Sequence, residues 1–183
     1  MTKPDDILAF WTAAGPDKWF AKDDAFDAFI RSDYLAAHFA ASRGEYASWE
    51  ETAEGALALL VLLDQFPRNL FRGSAHAFAT DGLARAVARR ALDKGFDEIV
   101  DQSLAIFFYL PFEHSENPSD QEISVSLFTQ HFERTADRVS LDYAIEHRDI
   151  IARFRRFPHR NAALGRETTP EEKVYLESGG FSG

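Results

Sequence analysis

The chain has 183 residues, of which 45% are hydrophobic and 27% charged, and its formal net charge is −10. This composition is typical of a globular protein and excludes a disordered chain. Because the sequence contains no cysteine, disulfides, thiolate metal sites and thiol catalysis are excluded. The negative charge argues against general binding to nucleic acids or to anionic membranes.

Two features of the sequence bear on location. The first residues, Met1 to Asp6, lack the basic flank and apolar stretch of a signal peptide. The longest uncharged apolar run, Ala56 to Leu63, is too short to span a bilayer. We therefore expect a soluble, cytoplasmic protein that forms one domain over residues 1–183.

Helical signals begin at the amino terminus. Pro4 suits the first turn of a helix that Gly15 ends. A second helix is predicted from Asp23, because a carboxylate favours a helix amino terminus, and it ends at Gly44. No stretch of the chain alternates between apolar and polar residues as a half-buried strand does.

The third predicted helix is apolar on nearly all sides. Ser48 and Glu51 match a capping box at its start, and a leucine-rich run over residues 57–63 follows. A helix without a polar face is typical of a core, so we expect Leu60 to be buried. Pro67 predicts the end of this helix because proline cannot donate its backbone hydrogen bond.

Comparable signals predict five further helices. They cover about residues 81–94 and 101–110, and begin near Ser119, Ser140 and Thr169. Ser119 with Glu122 and Thr169 with Glu172 again match capping boxes. The prediction is an all-α fold of about eight helices, arranged as stacked antiparallel helical hairpins.

Three segments, in this order, resemble a known family. They are LLDQFPRNLFRG over residues 62–73, YLPFEHSE over 109–116, and the stretch 147–166 with its HRDII, RFPHRN and LGR motifs. They are similar to the largely bacterial domain-of-unknown-function family DUF924, and the similarity covers nearly the whole chain. One departure is Arg155, where the family pattern has glycine. The resemblance implies an all-helical, tetratricopeptide-like fold and no particular activity.

The segment 147–166 is strongly basic, although the chain as a whole is acidic. It carries six arginines and two histidines against the single acid Asp149. Guanidinium groups bind carboxylate or phosphate through paired hydrogen bonds, so the run predicts an anion site that includes Arg156, Arg160 and Asn161. In the alternative, the arginines pair internally with acids such as Glu113, Glu116, Asp64 and Asp120.

A short sequence repeat relates this segment to the first motif. Phe-Pro-Arg-Asn at residues 66–69 matches Phe-Pro-His-Arg-Asn at 157–161. If the two turns lie close together, Arg68 and Arg160 flank one anion, with Asn69 and Arg72 beside it. The alternative is local: the asparagines bond nearby backbone, and the arginines neutralise the carbonyls at a helix end.

Glu113 and His114 are the best acid–base candidates, and His147 is the other candidate base. A histidine beside carboxylates titrates near neutrality and can act as a general acid or base, although such a turn is often simply solvated. No segment has the ligand spacing of a metal site. Phosphate loops, dinucleotide fingerprints and Gly-x-Ser-x-Gly elbows are also absent from the sequence. We therefore expect neither a metal nor a cofactor.

Three functions remain open from the sequence. The first is a helical binding domain whose arginine-lined groove takes a small anion or an acidic peptide. The second is a hydrolase or transferase that acts on a phosphorylated or carboxylated metabolite, with His114 or His147 as general base. The third is a structural interaction module in which the charged motifs form internal salt bridges.

Overall fold

The computed structural model describes residues 2–182. Within this range the chain contains helices and no β-strand, which confirms the all-α prediction. The α-helices are α1 (Pro4–Ala14), α2 (Pro16–Trp19), α3 (Asp24–Ser42), α4 (Ala53–Leu60), α5 (Phe66–Leu70), α6 (Asp81–Asp93), α7 (Phe96–Ile99), α8 (Gln102–Glu113), α9 (Pro118–Thr135), α10 (Arg138–Phe154) and α11 (Pro170–Glu177). A π-helical turn covers Val61–Gln65, and 3₁₀ turns cover Ala47–Glu51, Ala75–Phe78 and Pro158–Arg160.

The chain divides into two compact units. Among the described residues, the first comprises 2–72 and 76–111, and the second comprises 73–75 and 112–182. The expectation of one domain concerns the whole chain as a folding unit and stays a prediction. None of the helices within residues 2–182 combines the length and the apolar character that crossing a membrane requires.

The core of the first unit is built around α4, the π-helical turn and α5. These three segments form one continuous helical run, and α1, α3 and α6 pack against it. Every residue from Ala53 to Pro67 is buried except Glu54, and Leu60 is 0% exposed. This confirms the prediction of a central helix that is apolar on nearly all sides.

The prediction that Pro67 ends this helix is wrong. The π-helical turn, in which Phe66 N–H bonds to the carbonyl of Val61 five residues earlier, carries the helix on to Leu70. Pro67 has no N–H, so it offers no backbone donor to the carbonyls of Leu62 and Leu63. Two buried side chains hydrogen-bond these carbonyls: His38 Nδ1 donates to Leu62 at 2.9 Å, and Thr80 Oγ1 donates to Leu63 at 2.5 Å.

The capping box predicted at Ser48 and Glu51 is also wrong. Both residues belong to the 3₁₀ turn, and α4 is capped by Thr52, whose Oγ1 accepts a hydrogen bond from Gly55 N at 3.1 Å. Gly55 lies so close to the turn that a Cβ atom there would overlap the carbonyl oxygen of Trp49. The turn and the first residues of α4 therefore require glycine at this position.

The second unit contains α9, α10 and α11. Asn117 caps α9 through Ser119 N at 2.9 Å and the helix begins at Pro118, so the capping box predicted at Ser119 and Glu122 is wrong. The box at Thr169 and Glu172 is confirmed, because each side chain accepts from the backbone N–H of the other. Two residues connect α9 to α10, and the two helices pack extensively as an antiparallel hairpin.

Arg155 ends α10 in the left-handed conformation. Its φ is +61° and its N–H donates to Ile151 O at 2.9 Å, as in a typical carboxy-terminal cap. Glycine adopts this conformation without the steric cost that a Cβ atom brings. Arg155 thus places an L side chain where the backbone favours glycine, the residue that the resemblance led us to expect here.

Gly55→Ala is expected to lower the free energy of unfolding by about 1–3 kcal/mol, because the added methyl overlaps the Trp49 carbonyl. Gly82→Ala, in the exposed first turn of α6 with ordinary van der Waals space, is expected to raise it by about 0.5–1 kcal/mol. Urea denaturation of both variants measures the difference. Equal effects would contradict the close approach at Gly55.

Arg155→Gly is expected to stabilise the protein by about 1 kcal/mol, since it removes the cost of a left-handed L residue. Arg148→Gly lies within the regular part of α10 and is expected to destabilise by about 1 kcal/mol. Thermal melts of the two variants give the signs. Destabilisation by Arg155→Gly would show that its side chain contributes more than the backbone cost.

Candidate functional site

Five ionisable residues gather in the second unit, and we call them the histidine cluster: Glu113, His114, His147, His159 and Arg160. Glu113 and His114 come from the carboxy-terminal end of α8, His147 lies on α10, and the last two belong to the 3₁₀ turn. Glu113, His147 and Arg160 are only 4%, 5% and 6% exposed. Burial of ionisable groups is costly, so such a concentration is a candidate functional site.

Phe157 is the apolar centre of the histidine cluster. The ring is 0% exposed, and its centroid lies 5.4 Å from that of His147 and 5.6 Å from that of His159. The guanidinium carbon of Arg160 lies 4.5 Å from the same centroid, within the range of a cation–π contact. Pro158 starts the 3₁₀ turn directly after Phe157, which brings His159 and Arg160 back to this ring.

The hydrogen bonds of His147 define its tautomer. Nδ1 lies 2.8 Å from the carbonyl oxygen of Tyr143, which can only accept, so Nδ1 carries the proton. Glu113 Oε1 lies 3.5 Å from the same nitrogen. Nε2 of the neutral imidazole is therefore left as a hydrogen-bond acceptor.

The pKa of His147 falls from 6.5 to about 3, chiefly because of burial; the nearby charges of His114, Arg160 and His159 also lower it, whereas the bond to Tyr143 opposes the fall. At neutral pH the side chain is consequently uncharged.

Glu116 holds the chain that carries Phe157 and the 3₁₀ turn. Its carboxylate accepts two hydrogen bonds from Arg166, at 2.8 and 2.9 Å, and a third from Phe157 N at 2.8 Å. Burial opposes ionisation here, but the bonds from Arg166 and Phe157 hold the pKa of Glu116 below its usual range. Arg166 therefore has an internal carboxylate partner.

Glu172 likewise accepts hydrogen bonds from two residues that the sequence assigns to the anion site. It accepts from Arg156 at 2.5 and 2.8 Å and from Asn161 Nδ2 at 3.1 Å. The bond with Arg156 is the main reason why the pKa of Glu172 falls to about 2. Arg156 and Asn161 are thus bound to a carboxylate of their own unit.

The other predicted ligand-binding residues lie in the first unit and also have carboxylate partners there. Arg68 donates to Asp81 at 2.6 and 3.1 Å and lies 3.8 Å from Asp64. Asp27 accepts from Asn69 at 2.7 Å and from Arg72 at 2.8 and 2.9 Å. These pairs correspond to the internal pairing that the sequence left open as the alternative.

The structure therefore brings together four of the nine predicted site residues: Glu113, His114, His147 and Arg160. His159 joins them, although the sequence gave it no role of its own. The available signal was its position between Pro158 and Arg160 in the second Phe-Pro motif. Among residues 2–182, no three acidic, histidine or cysteine side chains are placed to hold a metal ion.

An open groove in the first unit has a volume of about 370 Å³. Its lining residues are Phe10, Ala13, Ala14, Lys18, Ala25, Phe26 and Phe29. None of the predicted site residues lines it, and Lys18 is its one charged lining residue among those that the structure describes. The groove and the histidine cluster are thus different features.

Comparisons with known proteins identify the family. The sequence profile described as "Bacterial protein of unknown function (DUF924)" matches residues 7–180. The chain belongs to this family. The solved structure of ATU0120, a protein of unknown function from Agrobacterium tumefaciens, is 52% identical, with a TM-score of 0.89 over 96% of this chain and 97% of that chain. A comparison with curated proteins gave no match.

The low pKa of His147 gives a testable pH dependence. Below pH 6.5 the imidazole of His147 is protonated in the unfolded state, whereas in the folded state it stays neutral down to about pH 3. The free energy of unfolding therefore falls as the pH drops through this window. The loss is at most about 1.4 kcal/mol per pH unit. Urea midpoints measured between pH 7.5 and 4.5 should fall less steeply in His147→Gln than in the parent.

His76→Gln is the control, because His76 is exposed. Its pH profile should follow the parent. His38→Gln should also flatten the profile, since burial lowers the pKa of that histidine. An unchanged slope in His147→Gln would contradict a neutral, buried His147.

Proposed function

We propose that this DUF924 protein is a binding domain whose histidine cluster takes a small anion bearing a phosphate, sulfate or carboxylate group. The supporting observation is that the rings of His147 and His159 and the guanidinium of Arg160 lie 5.4, 5.6 and 4.5 Å from the centre of the same buried ring, Phe157. Basic groups that are held in place and shielded from water attract an anion more strongly than the same groups do in solution. Arg160 supplies the permanent positive charge, because guanidinium does not deprotonate in proteins.

Glu113 makes the proposed binding dependent on protons. Its carboxylate lies 3.5 Å from Nδ1 of His147, so a bound anion needs positive charge from an imidazole to counter this acid. Anion binding should therefore be accompanied by proton uptake and should tighten as the pH falls.

The state of His147 favours a binding domain over the enzyme alternative. A general base works best when its pKa lies near the operating pH, and the pKa of His147 is about 3. At neutral pH such a group accepts a hydrogen bond but draws a proton only weakly. A hydrolase or transferase would have to use His114 as its base.

The remaining expectations belong to the same proposal. We propose a cytoplasmic location, with which the net charge of −10 and the absence of cysteine agree. We also propose that the helical hairpins follow a tetratricopeptide-like plan, which the α9–α10 pair supports. An acidic peptide is the second candidate partner, because its carboxylates share the chemistry of the small anion.

Sodium sulfate at constant ionic strength tests the proposal, because sulfate does not change its charge near neutrality. The native state should gain about 2.7 kcal/mol of stability at 100 times the dissociation constant. Binding should be tighter at pH 6 than at pH 8, and calorimetry in buffers of different ionisation enthalpy should show proton uptake. Arg160→Lys should weaken binding, since lysine cannot form the paired hydrogen bonds of guanidinium.

Arg148→Lys is the matched control. Arg148 lies in the same arginine-rich segment but pairs with Asp149 on the exposed side of α10, so its replacement should leave binding unchanged. A parent protein that responds to sulfate no more than to chloride would contradict the proposal. A response to a glutamate-rich peptide alone would favour the second partner.

A further inference from the structure

We infer that Phe181 is a lid over the histidine cluster, which closes on His147 and His159 and must move for an anion to enter. The inference rests on the proposed function for its ligand and on separate contacts for its geometry. The ring centroid of Phe181 lies 4.5 Å from that of His147 and 5.2 Å from that of His159. Both pairs are edge-on, with interplanar angles of 66° and 71°.

The half-buried state of Phe181 distinguishes it from Phe157. Phe157 contacts the same two imidazoles but is fully buried, whereas Phe181 is partly exposed. The two imidazoles are therefore in contact with one permanent core residue and with one side chain that solvent reaches.

The turn before Phe181 directs its ring back to the cluster. Gly179 has a φ of +86°, and a Cβ atom at Gly180 would overlap Tyr175, so both positions favour glycine. Gly180 N donates to Tyr175 O at 3.0 Å, and Phe181 N donates to Tyr175 Oη at 2.9 Å. These bonds place Phe181 after the end of α11 without adding it to a helix.

Tyr175 provides a firm support for this turn. Its ring lies 5.0 Å from that of Phe154 on α10, and the Arg153 guanidinium lies 5.8 Å from the tyrosine ring. The lid itself follows two glycines and is held by two hydrogen bonds, by the ring contacts and by packing against the core residues Ile150, Ile151 and Phe157. Segments with few buried contacts open locally at a small fraction of the free energy of global unfolding.

Opening of the lid should expose an imidazole that is already in a reactive form. His147 is neutral, with Nδ1 bonded to Tyr143, and Nε2 carries the free lone pair. Diethyl pyrocarbonate acylates the unprotonated nitrogen of imidazole, with loss of carbon dioxide and ethanol from the reagent. The rate at which His147 is modified thus reports access to the cluster without any anion.

The first measurement follows modification of each histidine by mass spectrometry at pH 7. Phe181→Ala should raise the rate at His147 about tenfold relative to the parent, as expected when a local barrier to opening is removed. Exposed His76 in the first unit is the internal reference and should not change. Val174→Ala, a loss of apolar volume at a 64% exposed position on α11, is the matched control.

Tyr175→Phe is the second variant. It distinguishes opening of the lid from a general loss of stability caused by Phe181→Ala. It keeps every ring but removes the hydroxyl that accepts from Phe181 N, so the rate at His147 should rise by a smaller factor. Unchanged rates at His147 in both variants would overturn the lid. Equal acceleration at His76 would overturn it as well, because the effect would then be global unfolding.

Sulfate binding separates failure of the lid from failure of the proposed function. In Phe181→Ala, sulfate should associate and dissociate faster than in the parent. Binding to the parent with unchanged rates in the variant would overturn the lid and leave the proposed function standing. Faster modification of His147 without sulfate binding to the parent would support Phe181 as a cover and contradict the anion site.

Discussion

The carboxylate of Glu116 joins two parts of one loop in the second unit. It binds the guanidinium of Arg166 with both oxygens and also accepts the backbone N–H of Phe157. Phe157 in turn contacts His147, His159 and Arg160, so the position of this single N–H determines where the cluster forms. Without Glu116, the Phe157 N–H would lose the acceptor that fixes the loop, and Arg166 its carboxylate partner.

The arginine-rich segment thus contains two kinds of arginine. Arg156 and Arg166 hold the loop through carboxylates at Glu172 and Glu116, and their charges are offset. Arg160 contacts the ring of Phe157, against which the imidazoles of His147 and His159 also pack. A run of like residues in the sequence therefore divides between scaffold and site according to the partner that each side chain meets.

Local signals account for what the sequence predicted well. The capping box at Thr169 needs residues only three apart, and the leucine-rich run encodes the burial of α4 through its own periodicity. The helix end at Pro67 failed because the needed donors, His38 and Thr80, come from distant parts of the chain. The capping box at Ser48 failed because Thr52, three residues before Gly55, competes for the same role.

The partners of the candidate site residues could not be predicted from the sequence, because they too lie far away along the chain. Arg166 lies 50 residues from Glu116, and Arg72 lies 45 residues from Asp27. Many acids are available at such distances, and nothing in the spacing of a motif selects one of them. The histidine cluster could be anticipated in part, because two of its members are neighbours at Glu113 and His114, but the meeting with His147 depends on tertiary packing.

The passage of a helix through Pro67 also has a consequence for how the first unit folds. The carbonyls of Leu62 and Leu63 accept hydrogen bonds from a side chain of α3 and from the side chain of the residue before α6. On its own, the segment from Ala53 to Leu70 would have to leave both carbonyls to water, which its apolar surroundings exclude in the native state. Completion of this helix is therefore thermodynamically coupled to the docking of two other elements, and the backbone and tertiary structure should form and melt here as one cooperative unit.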